Sequence, residues 1–143
     1  MRRKQFLAVF TGILVIVAVT LIFGGSVWAQ STYKTLYKFK GGKDGNSPDA
    51  GVIFDSAGNV YGTTSFGGTY GNGTIYRLMP NVDGSWKEKV LHSFTGKDGA
   101  DPNNVDLIMD AQGDLYGTAM LGGKSGCNGY GCGLAFELID QWV

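Results

Sequence analysis

The chain has 143 residues, with 12 basic and 12 acidic side chains, one histidine, two cysteines and 24 glycines. That length allows one modest domain, and the absence of a basic excess excludes an electrostatic footprint for nucleic acid. An apolar content of 43% excludes wholesale disorder, while glycine far above the usual ~7% announces a chain full of turns.

Residues 1–29 open with Arg2, Arg3 and Lys4, then run uncharged and mostly apolar from Phe6 to Phe23. Gly24 and Gly25 break the run, and "VWA" offers small or modest residues at Val27 and Ala29. This is the order of a secretory signal peptide cut after Ala29. The alternative is an uncleaved N-terminal anchor, because an uncharged run of eighteen residues nearly crosses a hydrocarbon core. Either reading exports the remainder to the periplasm, the cell surface or the medium. Any membrane contact would run through this segment alone. Beyond it the chain keeps 9 basic against 12 acidic residues, a formal charge of −3.

The remainder is written twice, as repeat 1 (30–86) and repeat 2 (87–143). "TLYKF" and "KVLHSF" predict a first strand, rich in aromatic and branched residues. "KDGNSP" and "KDGADP" mark turns. "GVIFD" and "VDLIMD" predict a second strand. "SAGN" and "AQGD" predict tight hairpin connections, with Gly58 and Gly113 free to take positive φ. "NVYGTTS" and "DLYGTAM" predict a third strand whose internal glycine lets a neighbouring chain come close. "TIYRL" and "LAFEL" predict a fourth, with Arg77 and Glu137 sharing one face. From 51 to 68, eight of eighteen positions match their partners 55 residues on, and insertions fall between the apolar segments. Trp86 recurs as Trp142. No helix is predicted beyond the leader. The fold class is therefore all-β, with antiparallel four-stranded repeat units like β-propeller blades.

"AGNVYGTTSFGGTYGNGTIYRL" and "QGDLYGTAMLGGKSGCNGYGCGLAFEL" resemble the GloVer tandem-repeat family of exported bacterial proteins. The resemblance covers nearly everything after the leader. It implies a secreted or surface-attached protein with propeller-like repeats, often an anchoring tail, and no established catalytic site. Family members typically carry more units, and this chain stops at "DQWV", where a third "VLYSF"-like strand should begin. Two blades leave sheet edges open. A piece of a longer reading frame, a degenerate member, and a protomer that completes a ring with copies of itself all fit.

Cys127 and Cys132, in "GCNGYGCG", are expected to form a disulfide across a loop tip. A zinc site would need more ligands than one histidine supplies, so no metal or cofactor is expected. His92 corresponds to Tyr37, which cannot serve as a base or ligand at neutral pH, so a strand-packing or surface role is favoured. Asp44, Asp98, Asp55 and Asp110 recur in both repeats and are expected to cap turns rather than bind calcium or catalyse. Tyr70 and Tyr130, with Asn72 and Asn128, lie in loops that differ between repeats and are the candidate contacts for a glycan or protein partner. The function expected is a non-catalytic scaffold or binding module. The alternatives are part of a propeller-type glycan-active enzyme and a truncated frame without activity.

Overall fold

The computed structural model describes residues 31–104, 106–124 and 126–139. The leader with its cleavage site, and Trp142, lie outside them. All the elements fall within one unit, Thr35–Val143. The first sheet is antiparallel, ordered β1 (Ile53–Phe54), β2 (Val60–Thr64), β3 (Thr74–Pro80) and β4 (Trp86–Ser93). The second is β5 (Ile108–Met109), β6 (Leu115–Ala119) and β7 (Leu134–Leu138). A single 3-10 turn, Cys127–Gly129, interrupts the loop before β7. Among the described residues no helix is long and apolar enough to cross a membrane, and no sheet closes on itself.

The strand alternation decides how the sheets meet. On β2, Tyr61 points to one face while Val60 points to the other. Tyr61 and Ile75 of the first sheet share one buried cluster with Leu115 of the second, and with Phe94 and Leu107 from the intervening chain. Ile53, Leu91, Met109, Phe136 and Leu138 pack around it. Each sheet thus lends one face to a common core. The opposite face of the first sheet carries Val60, Tyr76 and Leu78, covered by Tyr37, Phe39 and Trp86.

Two features depart from the sequence reading. The strand expected over 35–39 does not form, although Tyr37 and Phe39 still pack against the first sheet. Its counterpart in repeat 2 does form, as β4, but joins the preceding sheet by pairing with β3. The sheets are therefore out of phase with the sequence units by one strand. A strand needs a neighbour to satisfy its backbone, and among the described residues 35–39 has no paired strand beside it. Among the described residues the second sheet has three strands.

The glycine inside the third predicted strand serves a purpose other than close approach of a chain. Gly62 sits directly opposite Tyr76, and Gly117 opposite Phe136. A methyl group built on Gly62 would lie 2.5 Å from the Tyr76 hydroxyl and 2.8–3.2 Å from its ring, and one on Gly117 would lie 2.6 Å from Phe136. Each aromatic side chain reaches across the strand pair into the space above the glycine, its outer end nearest. Gly62→Val should therefore lower stability by about 1–3 kcal/mol through overpacking, read as a shifted denaturation midpoint. Adding Tyr76→Leu should recover part of that loss; no recovery would mean the clash lies elsewhere.

Candidate functional site

The aspartates that recur in both repeats are consumed by their own turns. Asp55 Oδ1 accepts from the backbone N–H groups of Ala57 and Asn59, both at 2.9 Å. Its Oδ2 accepts from Asn59 Nδ2 at 2.7 Å and from the Tyr61 hydroxyl at 3.0 Å. Asp110 repeats the pattern with Gln112 N, Asp114 N and the Tyr116 hydroxyl. Gly58 and Gly113 take the positive φ each hairpin needs, 80° and 95°. The tyrosine of "YGT" thus packs its ring and locks the turn with its hydroxyl.

His92 and Tyr37 prove equivalent in contact as well as in sequence. The Tyr37 hydroxyl donates to Asp44 Oδ2 at 3.0 Å, and His92 Nε2 lies 3.1 Å from Asp98 Oδ2. Each ring meets the phenylalanine two residues on edge-to-face, Tyr37 with Phe39 at 5.1 Å and His92 with Phe94 at 4.9 Å. The aspartates also close their own loops: Asp44 accepts from Lys40 N, and Asp98 from Thr95 N and Oγ1. A bulge between Ile75 and Tyr76 of the β3–β4 ladder turns His92 toward Asp98 and Leu91 toward the core. Tyr37 is held up to about 12 by burial and by the Asp44 carboxylate.

Beside these pairs an open groove of about 510 Å³ is lined by Lys43, Asp44, Thr69, Glu88, Val90 and His92. Glu88 departs from the ordinary carboxylate pattern. Burial, and then the nearby Asp44 charge, push its pKa up. Its Oε1 is buried and has no hydrogen-bond partner among the described residues. Asp44 moves the other way: burial raises it, but hydrogen bonds from Lys40 N, Tyr37 and Gly42 N outweigh that and lower it. Sequence reasoning passed over Glu88. The available signal was that its position is not acidic in repeat 1, where Tyr33 stands.

The candidate binding residues lie on the β2–β3 and β6–β7 loops, equivalent connections of the two sheets. Tyr70 and Tyr130 are both exposed. Asn72 is half-buried, and its backbone carbonyl accepts from Asp101 N at 3.0 Å, tying it to repeat 2. Asn128 is exposed with φ 64°, and the Tyr130 carbonyl accepts from Gly122 N at 2.8 Å. The loop holding Asn128 and Tyr130 is closed by the Cys127–Cys132 disulfide, with Cα atoms 5.3 Å apart. Among the described residues no group of three metal-ligating side chains gathers.

A family profile described as the Gloeobacter/Verrucomicrobia repeat matches residues 23–139. No curated protein matches the chain, and no solved structure does.

Asp44, Asp55, Asp98 and Asp110 all have pKa values below the ordinary one, because donated hydrogen bonds outweigh the burial that raises them. A carboxylate depressed in the folded state contributes stability above its unfolded pKa of about 3.9, lost as pH falls through the folded value. Glu88, being raised, acts in the opposite sense and costs stability as pH climbs past its unfolded pKa. The melting temperature should therefore fall steeply below about pH 4. Asp55→Asn should make that fall shallower, and an unchanged acid limb would remove the turn aspartates as its cause.

Proposed function

The chain belongs to the Gloeobacter/Verrucomicrobia repeat family, and on that premise we propose that it is an exported, non-catalytic binding module whose propeller-like sheets present loops to a glycan. The observation that carries this reading is a division of labour between repeated and non-repeated groups. The repeated carboxylates are spent on turns and rings. Tyr70 and Tyr130 instead stand exposed on equivalent loops that differ in sequence. An exposed aromatic face beside amide groups suits the apolar face and hydroxyls of a sugar ring. Export is supported by the order of charge, apolar run and small residues before Ala29, and by a disulfide that persists in oxidising compartments.

Expression in an exporting host should yield a product whose N-terminus is Gln30, read by mass spectrometry. On an immobilised-glycan panel, Tyr70→Ala and Tyr130→Ala should each weaken the bound signal at least about tenfold, with melting temperature unchanged. Binding that survives both changes would sink the role of these loops.

A second reading, a glycan-active enzyme, has one observation in its favour. Glu88, raised, and Asp44, lowered, line one groove, and two carboxyl groups pushed apart in pKa suit a general acid and its partner. On that reading Glu88→Gln abolishes glycan cleavage while leaving glycan binding intact. Absence of cleavage by the unaltered chain across the same panel would discard it.

A further inference from the structure

The two repeats have the same faces but not the same surroundings. In repeat 1, Thr63 and Ile75 are each 1% exposed, buried by repeat 2. Their counterparts Thr118 and Ala135 are exposed, and Ile108, counterpart of the half-buried Ile53, is 66% exposed. This face of the second sheet, built from β5, β6 and β7, is the tail of the described structure. A shallow concavity of about 250 Å³ lies on it, lined by Asp106, Ile108, Tyr116, Gly117 and Thr118.

The opposite comparison defines a head. Leu107 and Met109 of repeat 2 take part in the shared core. Their counterparts Val52 and Phe54 in repeat 1 are 48% and 64% exposed. The segment 35–39 belongs to this head: its counterpart in repeat 2 pairs with β3, yet among the described residues it has no strand partner of its own. Head and tail are thus the two halves of one interface that the chain already forms internally.

That internal interface specifies its contacts. The Thr63 hydroxyl donates to the Pro102 carbonyl at 3.0 Å, and Phe94 N donates to the Gly73 carbonyl at 3.1 Å. Ile75 pairs with His92, and Thr74 with Ser93. Phe94 meets Phe136 edge-to-face at 5.3 Å, as Phe39 meets Tyr76 at 4.9 Å within repeat 1. Phe39 therefore already occupies on its own sheet the place Phe94 occupies when its strand is paired. The segment requires little rearrangement to accept a neighbour.

We infer that the exposed tail of one copy receives the head of a second copy. Residues 35–39 of the second copy add to β7 as a fourth strand, setting Tyr37 opposite Ala135 and Lys38 opposite Leu134, with Phe39 N donating to the Gly133 carbonyl. The Thr118 hydroxyl reaches the Pro48 carbonyl, and Val52 and Phe54 cover Ile108. The association is head-to-tail, so it closes as a ring or extends as a filament, and the added strand covers the exposed β7 edge. This assembly deepens the proposed binding-module role and rests on that reading, but it requires no glycan.

The test is light scattering of the purified full chain at about 100 µM, where even a micromolar interface is saturated. The unaltered chain should have a mass of two or more copies. Ile108→Glu destroys the tail and Phe54→Glu the head, so each variant alone should run as a single copy. Mixed in equal amounts, they retain one intact head and one intact tail, and should form a dimer. Both positions are exposed, so melting temperatures should stay near the unaltered value; Thr118→Arg and Val52→Lys replace either variant that melts early. A single-copy mass for the unaltered chain overturns the inference. So does a multimer that Phe54→Glu leaves intact, which points to a tail-to-tail pair. Loss of glycan binding with assembly retained would count against the loops alone, and the reverse against the assembly alone.

Discussion

Everything in this fold follows from a sheet that cannot bury its own faces. Strands of two to eight residues, paired four abreast in one sheet and three in the other, offer apolar side chains on both sides, and among the described residues no α-helix covers either. The solution is to share: Tyr61 and Ile75 turn to Leu115, Phe136 and Leu138 of the next repeat, and Phe94 fills the space between. Short strands need a buried hydrophobic face to be stable in water, and the cluster that buries Ile75 and Leu115 draws on both sheets, so each depends on its neighbour for its core. The connecting strand enforces this. β4 completes the first sheet while Leu91 and the adjoining Phe94 contribute to the core of both, so the repeats are joined by backbone as well as by packing.

Given that sharing, the small residues and the aspartates follow. A ring can lie on a strand only where its cross-strand partner has no side chain, and Gly62 and Gly117 supply that space. Short strands need hairpins fixed without help from distant structure, and Asp55 and Asp110 do this with bonds confined to six residues of sequence. The Asp44 and Asp98 loops are fixed from the side by Tyr37 and His92. A tyrosine and a histidine can exchange places there because the position asks only for a flat ring with a polar tip toward a carboxylate. That equivalence gives His92 and Tyr37 the same structural part in their two loops.

Much of this was legible beforehand. The local patterns for β1 to β3 and β5 to β7 stand where alternation and turn residues put them, because short antiparallel hairpins are specified by neighbours in sequence. The 35–39 strand failed for the complementary reason. Its composition matches that of β4, but strand formation depends on a partner that local sequence does not supply, and β4 likewise joined the sheet before it instead of the one after. Glu88 was hidden because its character comes from burial and from Asp44, which reaches it across the fold. Conversely, the Cys127–Cys132 pair needed only a short glycine-rich spacing and was plain from the start.

The largest insertion between the repeats is also where they differ in chemistry. The offset between them rises from 55 to 60 across the loop that leads to the last strand of each repeat. Both loops are closed by the same backbone bond, Gly73 N to the Gly67 carbonyl and Gly133 N to the Gly122 carbonyl. The extra residues in repeat 2 therefore bulge outward without disturbing the ladder, and a disulfide gathers them into a tip that holds Asn128 and Tyr130. A longer loop costs little entropy to close, and a cross-link reduces what remains. If further heads and tails join as the first two do, each added repeat sets another such loop at the equivalent position. Weak contacts at single tips would then combine through effective concentration. The shared core that holds the sheets together would also fix the spacing at which the loops meet a surface.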